Sequence, residues 1–241
     1  MVRCGVILHK PLRFGKGVGS WYDSPMLIYL FQQPFILVTW VFAFLMALSV
    51  HEFSHALVSN WLGDSTAKRL GRLTLNPAAH VDMVGFLAVL IVGFGWGKPV
   101  PYNPYNLKMP KWGPVLIACA GPISNLIMAV LSMLLLALFL PRLGTENLLV
   151  IFLLVSAQLN VALMAFNLIP LPPLDGSKFL LAILDGPQYS KTRDFIEMRG
   201  PMLLLLLIFI DAFMGLHIFT GIIGFFWNLL TTLIPLPGFL L

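Results

Sequence analysis

Long hydrophobic runs separated by short polar segments dominate this chain. Four runs approach the roughly 20 apolar residues that a membrane-spanning helix needs, and they lie at 34–62, 113–140, 147–168 and 200–235. The fourth run is long enough for one or two passes. The pattern therefore predicts an all-α polytopic membrane protein with about six transmembrane helices.

Another apolar stretch, near 85–97, is shorter and rich in glycine. It is too short for an ordinary helical span, so the sequence predicts a short re-entrant or extended segment there. Non-helical backbone at membrane depth persists only where it is buried in protein or lines a wet cavity. We therefore expect this segment to lie inside the protein, against polar groups.

The composition supports a membrane protein. Of the 241 residues, 59% are hydrophobic and only 10% are charged, which is not the balance of a soluble domain. The basic residues behind the net charge of +5 lie in the loops, as expected for side chains at lipid headgroups. We predict an integral, multi-pass protein of the plasma (cell) membrane, with the lipid bilayer and not a nucleic acid as its partner. The sequence indicates no particular oligomeric state.

The polar group with the clearest chemistry is His51-Glu52-Phe53-Ser54-His55, inside the first apolar run. On a helix, His51 and His55 project from one face about one turn apart, so their rings can share one tetrahedral zinc ion. Glu52 lies beside them, where its carboxylate can take a proton from water. The residues before His51 form no charged face, which a soluble zinc protease would have, so the motif is expected within the bilayer.

A structural alternative is that the two histidines only satisfy hydrogen bonds within a helix bundle. Ionisable groups in hydrocarbon are costly unless they are paired or functional, and three of them lie within five residues here. A catalytic zinc also needs a third protein ligand, for which Asp175, His80 and His217 are candidates. Asp175 is favoured because a buried acid beside a proline-rich break is the costlier group to leave unexplained.

At this point the sequence resembles the site-2 protease family of intramembrane zinc metalloproteases. That family pairs His-Glu-x-x-His on one helix with Asn-x-x-Pro-x-Pro-x-x-Asp-Gly on a later one, and the second pattern is matched from Asn167 to Gly176. Gly121-Pro122-Ile123-Ser124-Asn125 is similar to a further helical signature of the family. The chain looks like a compact form without an added soluble domain.

The resemblance implies roles for individual residues. It implies that His51, His55 and Asp175 ligate one zinc ion and that Glu52 is the general base. For Asn167 it implies a role in positioning substrate or stabilising the oxyanion. The implied activity is hydrolysis of a peptide bond in or near a transmembrane segment of a membrane protein, that is, regulated intramembrane proteolysis.

The predicted organisation has three parts. Residues 1–33 form an N-terminal interfacial arm with a partial apolar segment, 34–185 form the zinc-protease membrane core, and 186–241 form C-terminal transmembrane helices that could gate the substrate. Two other functions remain open from the sequence. One is a membrane transporter of zinc or another divalent metal, and the other is an inactive relative that binds membrane helices.

Four further polar residues stand out. Asp211 interrupts an apolar run, and we expect it to have an interfacial or paired structural role. Asn125, among small residues, is expected to make a hydrogen bond between helices. His80 and Asp82 are expected in a capped turn that follows Asn76-Pro77, with lining of the cavity entrance as the alternative.

Overall fold

The computed structural model describes residues 33–92 and 95–236. The predicted N-terminal arm lies outside the described residues, apart from Gln33. Helices form almost all of the regular structure within the described part, as the hydrophobic pattern predicted. They are α1 (Pro34–Trp61), α2 (Thr66–Arg69), α3 (Met83–Val92), α4 (Gly113–Leu143), α5 (Leu148–Asn167), α6 (Gly176–Ile183), α7 (Ser190–Met214) and α8 (Ile218–Leu233).

Three helices in the described residues, α1, α4 and α5, are long and apolar enough to cross a membrane. Their bounds agree to within a few residues with the first three hydrophobic runs. Helix α8 is apolar but shorter, and α7 begins with a charged turn. The protein is thus an all-helical membrane protein, and the total of about six spans stays a prediction.

Local sequence explains where the long helices begin and end. Pro34 occupies the first turn of α1, where its missing N–H costs nothing. Just after α1 the chain turns at Gly63, whose φ of 106° is a conformation that residues with a Cβ rarely adopt. The Asn147 side chain caps α5 by accepting from the Leu149 N–H at 2.9 Å. Prolines at 170, 172 and 173 prevent α5 from continuing.

Helices α1, α4 and α5 form the centre of the molecule. Small residues buried between them let the backbones approach closely, among them Ala47 on α1, Ala129 on α4 and Ala157 on α5. Larger apolar side chains such as Met133 and Val161 fill the remaining space, and α8 contributes the buried Ile223 and Leu230 to the same cluster. The polar motif on α1 is buried in this bundle, where His51 and His55 contact α4.

The segment 85–97 is helical and not extended over much of its length, and Leu87 and Ile91 are exposed, so the predicted position inside the protein is wrong there. The re-entrant alternative stays a prediction. Residues 83–92 form the helix α3, so an extended conformation is wrong there, although Gly97 does pair with Val81 in an isolated β-bridge. The glycine that suggested irregular backbone has another purpose. A Cβ on Gly85 would collide with the backbone of Trp96, so the glycine permits close approach of two chain segments within a helical conformation.

Candidate metal centre

Three side chains from distant parts of the chain converge inside the helix bundle. The Nε2 atoms of His51 and His55 on α1 lie 3.0 Å apart. The Oδ2 atom of Asp175, just before α6, lies 3.3 Å from the first and 3.4 Å from the second. Both histidines are buried. The helical spacing predicted for the two histidines is present, and the proline-rich break after α5 brings the acid to them.

Each imidazole ring is held through its other nitrogen. His51 Nδ1 lies 2.6 Å from the side-chain oxygen of Asn125, and His55 Nδ1 lies 2.6 Å from the backbone carbonyl oxygen of Ile117. Both partners are acceptors, so each Nδ1 carries the proton and donates it. In its neutral form each ring therefore presents an Nε2 lone pair to the other ring and to Asp175.

Three acceptor atoms that face one another would be stabilised by a metal cation between them. The buried Oδ2 of Asp175 receives no hydrogen bond from any residue that the structure describes. A buried acceptor without a donor is costly, and here two nitrogen lone pairs add to the repulsion. Tetrahedral zinc with bonds of about 2.0–2.1 Å places its ligand atoms roughly 3.3–3.4 Å apart, close to the observed separations. Two imidazoles and a carboxylate are also a ligand set typical of catalytic zinc.

Gly121 on α4 leaves space directly over these atoms. A Cβ at this position would lie 2.5 Å from His55 Nε2 and 2.6 Å from His51 Nε2. Only glycine therefore lets α4 pass this close while the ligand atoms keep an open approach. From the sequence, Gly121 stood out only as the first residue of a signature similar to that of the site-2 protease family.

Glu52 completes the polar group on α1. Its side chain is buried, and a Cβ on Gly97 would lie 3.5 Å from its Oε1 atom. Glu52 is not among the three residues whose donor atoms converge. The carboxylate thus lies close to the chain segment that follows α3.

Comparison with known proteins agrees with this geometry. The model of Peptidase family M50 matches residues 142–208, which include the proline-rich break and Asp175. The chain is 42% identical over 154 residues to "Putative zinc metalloprotease YwhC" of Bacillus subtilis (strain 168), covering 61% of this chain and 68% of YwhC. The chain belongs to peptidase family M50.

A second relative has the same description. "Putative zinc metalloprotease Rip2" of Mycolicibacterium smegmatis is 35% identical over 150 residues, which cover 59% of this chain and 55% of Rip2. No solved structure matches the chain. The resemblance to the site-2 protease family is thereby confirmed, and membership of family M50 makes the chain a membrane zinc metalloprotease.

The other candidate ligands of this M50 peptidase lie apart from the metal group. His80 is fully buried, but its Nε2 faces the backbone oxygen of Thr74 at 2.7 Å. It ends a short turn that Asn76 caps by accepting from the Ala78 N–H, as predicted. Asp82 similarly accepts from the Gly85 N–H at the start of α3. The structure thus brings Asp175, and not His80, next to His51 and His55.

Two polar residues of the M50 peptidase lie between its last helices. Asp211, near the end of α7, accepts a 2.6 Å hydrogen bond from the Ile218 N–H at the start of α8. This is the structural role that the sequence predicted for it. His217 lies in the turn between the two helices, is exposed and has a φ of 57°, so it does not contribute to the metal group.

Asn167 of the M50 peptidase lies at the end of α5 and is half-buried. Its side-chain amide donates to the backbone oxygen of Leu163 at 3.0 Å. This contact orients the residue within its own helix. Its role in positioning substrate or stabilising an oxyanion stays a prediction.

Arg72 is an important residue of the M50 peptidase that the sequence did not single out. It is buried, and its guanidinium donates to the backbone oxygens of Lys98 at 2.5 Å and Pro99 at 3.0 Å. The segment that it holds includes Gly97, next to Glu52. One arginine among several basic loop residues gives no sequence signal, because its partners lie more than twenty residues away.

Proposed function

We propose that this chain is an intramembrane zinc metalloprotease in which His51, His55 and Asp175 hold one zinc ion and Glu52 is the general base. Its substrate is a membrane protein, cleaved in or near a transmembrane segment, as in regulated intramembrane proteolysis. The observation that carries the proposal is the convergence of three acceptor atoms beside a buried glutamate on a helix of membrane-spanning length.

In the proposed mechanism, several residues of the chain each have a separate role. Zinc, when bound, supplies Lewis acidity that polarises the substrate carbonyl and makes water a better nucleophile. Glu52 accepts the proton of the attacking water and later returns it to the leaving amine. Asn125 and the Ile117 carbonyl orient the two imidazoles, and Asn167 positions the substrate or stabilises the developing oxyanion. The buried setting strengthens each electrostatic contact.

The proposed location of cleavage follows from where the polar group lies. Helix α1 has an apolar half before His51, with side chains such as Phe35 and Val38 largely exposed, as expected for contact with lipid. We propose about six transmembrane helices in the plasma membrane, with 34–185 as the catalytic core and the N-terminal arm of 1–33 at the interface. The segment 186–241 would then gate substrate entry.

Contacts of α7 and α8 support this proposal for a gate. A Cβ on Gly200 of α7 would lie 2.6–2.8 Å from ring atoms of Pro172, so the helix lies directly against the proline-rich break. Leu204 on α7 and Phe219 on α8 are buried in one cluster with Leu174, the residue before Asp175. A movement of these helices would therefore reach a proposed zinc ligand.

A Glu52→Gln variant tests the proposed mechanism. The amide keeps the size of the side chain but cannot accept the proton, so cleavage of a membrane substrate should fall by about 10²–10⁴-fold. Zinc content should be unchanged, because Glu52 is not one of the proposed ligands. Glu146→Gln, at an exposed position between α4 and α5, is the matched control and should cleave normally.

The result also separates a protease from a metal transporter. Glu52 has no required part in metal transport, so a transporter would show no cleavage in either protein and similar metal passage in both. Full cleavage by Glu52→Gln would contradict the mechanism proposed above. Loss of zinc from this variant would instead assign Glu52 to metal binding.

A further inference from the structure

Two buried asparagine side chains form a hydrogen-bonded amide network that leads away from the proposed metal centre into the bundle. Asn125 on α4 and Asn160 on α5 are both fully buried and joined by a 2.8 Å hydrogen bond from Asn125 Nδ2 to Asn160 Oδ1. Asn125 contacts His51, whereas Asn160 contacts the backbone of Ser156. The amide network thus connects His51, a proposed zinc ligand, to Asn160, which contacts none of the proposed ligands.

The direction of every hydrogen bond in this amide network follows from the acceptor furthest from His51, the Ser156 carbonyl. The Ser156 carbonyl can only accept, so the Asn160 amide nitrogen must point to it, at 2.8 Å. The Asn160 oxygen is then left to accept from the Asn125 nitrogen. The Asn125 nitrogen also lies 3.3 Å from the Ala47 carbonyl oxygen, so the Asn125 oxygen must face His51 Nδ1.

This arrangement determines which ring nitrogen of His51 carries the proton. An oxygen at 2.6 Å from Nδ1 requires the proton on Nδ1 and leaves the Nε2 lone pair free. If the Asn125 amide were reversed, its nitrogen would face Nδ1, and the proton would be required on Nε2. A protonated Nε2 cannot ligate a metal.

The two histidines differ in the group that accepts the Nδ1 proton. His55 donates to the backbone carbonyl of Ile117, which cannot reverse within its helix. His51 depends on a side-chain amide, which can reverse by rotation, so another group must hold that amide. Two acceptors hold that amide, the Ala47 carbonyl at 3.3 Å and the Asn160 side-chain oxygen at 2.8 Å, and Asn160 is the closer of the two.

We propose that Asn160 is a positioning residue. Acting through Asn125, it holds His51 in the tautomer that presents Nε2 to the metal. It touches neither the metal nor the substrate. This inference rests on the proposed metal centre and adds to it a residue on α5 that no motif includes.

The test measures metal affinity, which needs no substrate. Zinc or cobalt binding to the full chain in detergent is measured by competition with a chelator, and the visible spectrum of cobalt reports the coordination. Asn160→Ala and the near-isosteric Asn160→Leu should each weaken binding by about 10–100-fold, as loss of an outer-shell partner typically does. Ser132→Ala is the control, because Ser132 bonds the Ser156 hydroxyl in the same helix pair and should leave the affinity unchanged.

A double-mutant cycle distinguishes positioning from a merely structural role. If Asn160 acts through Asn125, then Asn160→Leu should weaken metal binding no further once Asn125→Ala is present. Equal losses in both backgrounds would overturn the proposal, and so would an unchanged affinity in Asn160→Leu. Thermal unfolding in detergent shows whether each variant is folded. Leucine has nearly the same size as asparagine, so a loss of affinity in Asn160→Leu would not be caused by a cavity.

If the proposed metal centre is itself wrong, the experiment gives a different result. In that case the wild-type chain would bind no cobalt, or His55→Ala would bind it as tightly as wild type. If wild type binds one ion and His55→Ala loses it, the centre stands, and the Asn160 variants then decide the inference alone.

Discussion

At the level of single residues, the proposed metal centre depends on the absence of a side chain at Gly121. Gly121 carries no Cβ, and the space this leaves is bordered by the ring atoms of His51 and His55. A methyl group there would be too close to both rings for van der Waals contact. Because the rings are held at their Nδ1 atoms, they cannot move aside without breaking those hydrogen bonds.

Gly121→Ala should therefore weaken zinc binding by at least about tenfold, the loss typical of a disturbed outer shell. Alanine in a helix interior is favoured over glycine by about 1 kcal/mol, so helix formation itself should not suffer. Metal content and chelator competition provide the measurement. Gly221→Ala on α8, where a Cβ would meet nothing within 4 Å, is the control.

Single residues also show what the sequence could and could not predict. The ligand candidates were found because their spacing along one helix, or their cost in an apolar setting, is visible in the chain itself. A bond between helices was predicted for Asn125, but its partner, His51, was not. Asn160 and Arg72 were missed because their significance lies in contacts between segments far apart in sequence.

At the level of elements, a buried carboxylate joins the end of α1 to the loop before α4. Asp64 is fully buried and accepts from the Thr66 hydroxyl at 2.6 Å, the Asn103 N–H at 2.7 Å and the Asn106 amide at 2.9 Å. Burial alone would raise the pKa of this carboxyl. The hydrogen bonds outweigh burial and lower the pKa from 3.8 to about 2.

Asp64→Asn should lower the free energy of unfolding near neutral pH by about 1.5–3 kcal/mol, the range for hydrogen bonds to a charged group. The folded pKa lies below the unfolded one, so the contribution is complete above about pH 4 and is lost as the pH falls towards 2. Thermal unfolding in detergent from pH 7 to pH 3 should show the two proteins converging. The exposed Asp194 provides the control Asp194→Asn, and a constant difference at all pH values would contradict the assignment.

The predicted elements succeeded and failed for identifiable reasons. Long apolar runs bounded by Pro34 or Gly63 specify helices, because a backbone in hydrocarbon must satisfy its own hydrogen bonds. Residues 83–92 are also apolar and helical despite Gly85. The sequence misled there because a glycine that permits close packing looks the same as one that permits irregular backbone.

At the level of the whole molecule, the last two helices contact the part of the chain that carries Asp175. Helix α7 lies against Pro172 at Gly200, and the cluster of Leu174, Leu204 and Phe219 joins α7 and α8 to the same break. The hydrophobic pattern predicted helices in this region. It could not predict which part of the core they cover, because apolar surfaces do not specify a partner.

Gly200→Ala should separate α7 from the proline-rich break. A Cβ would lie within 2.8 Å of three ring atoms of Pro172, and overpacking of this kind typically costs about 1–3 kcal/mol of stability. Because Asp175 follows closely, zinc affinity should fall as well. Chelator competition and thermal unfolding measure the two effects, and unchanged metal binding in a destabilised variant would show that α7 packs independently of the centre.

The separation of the proposed ligands along the chain has a consequence for how the protein is made. Asp175 lies more than a hundred residues after His55, beyond α4 and α5. During synthesis, α1 therefore reaches the bilayer with two histidines and a glutamate while the third ligand has not yet been translated. On the proposed ligand assignment, a nascent chain at that stage offers the metal two of its three protein ligands, so the centre can assemble only after α4 and α5 have been made.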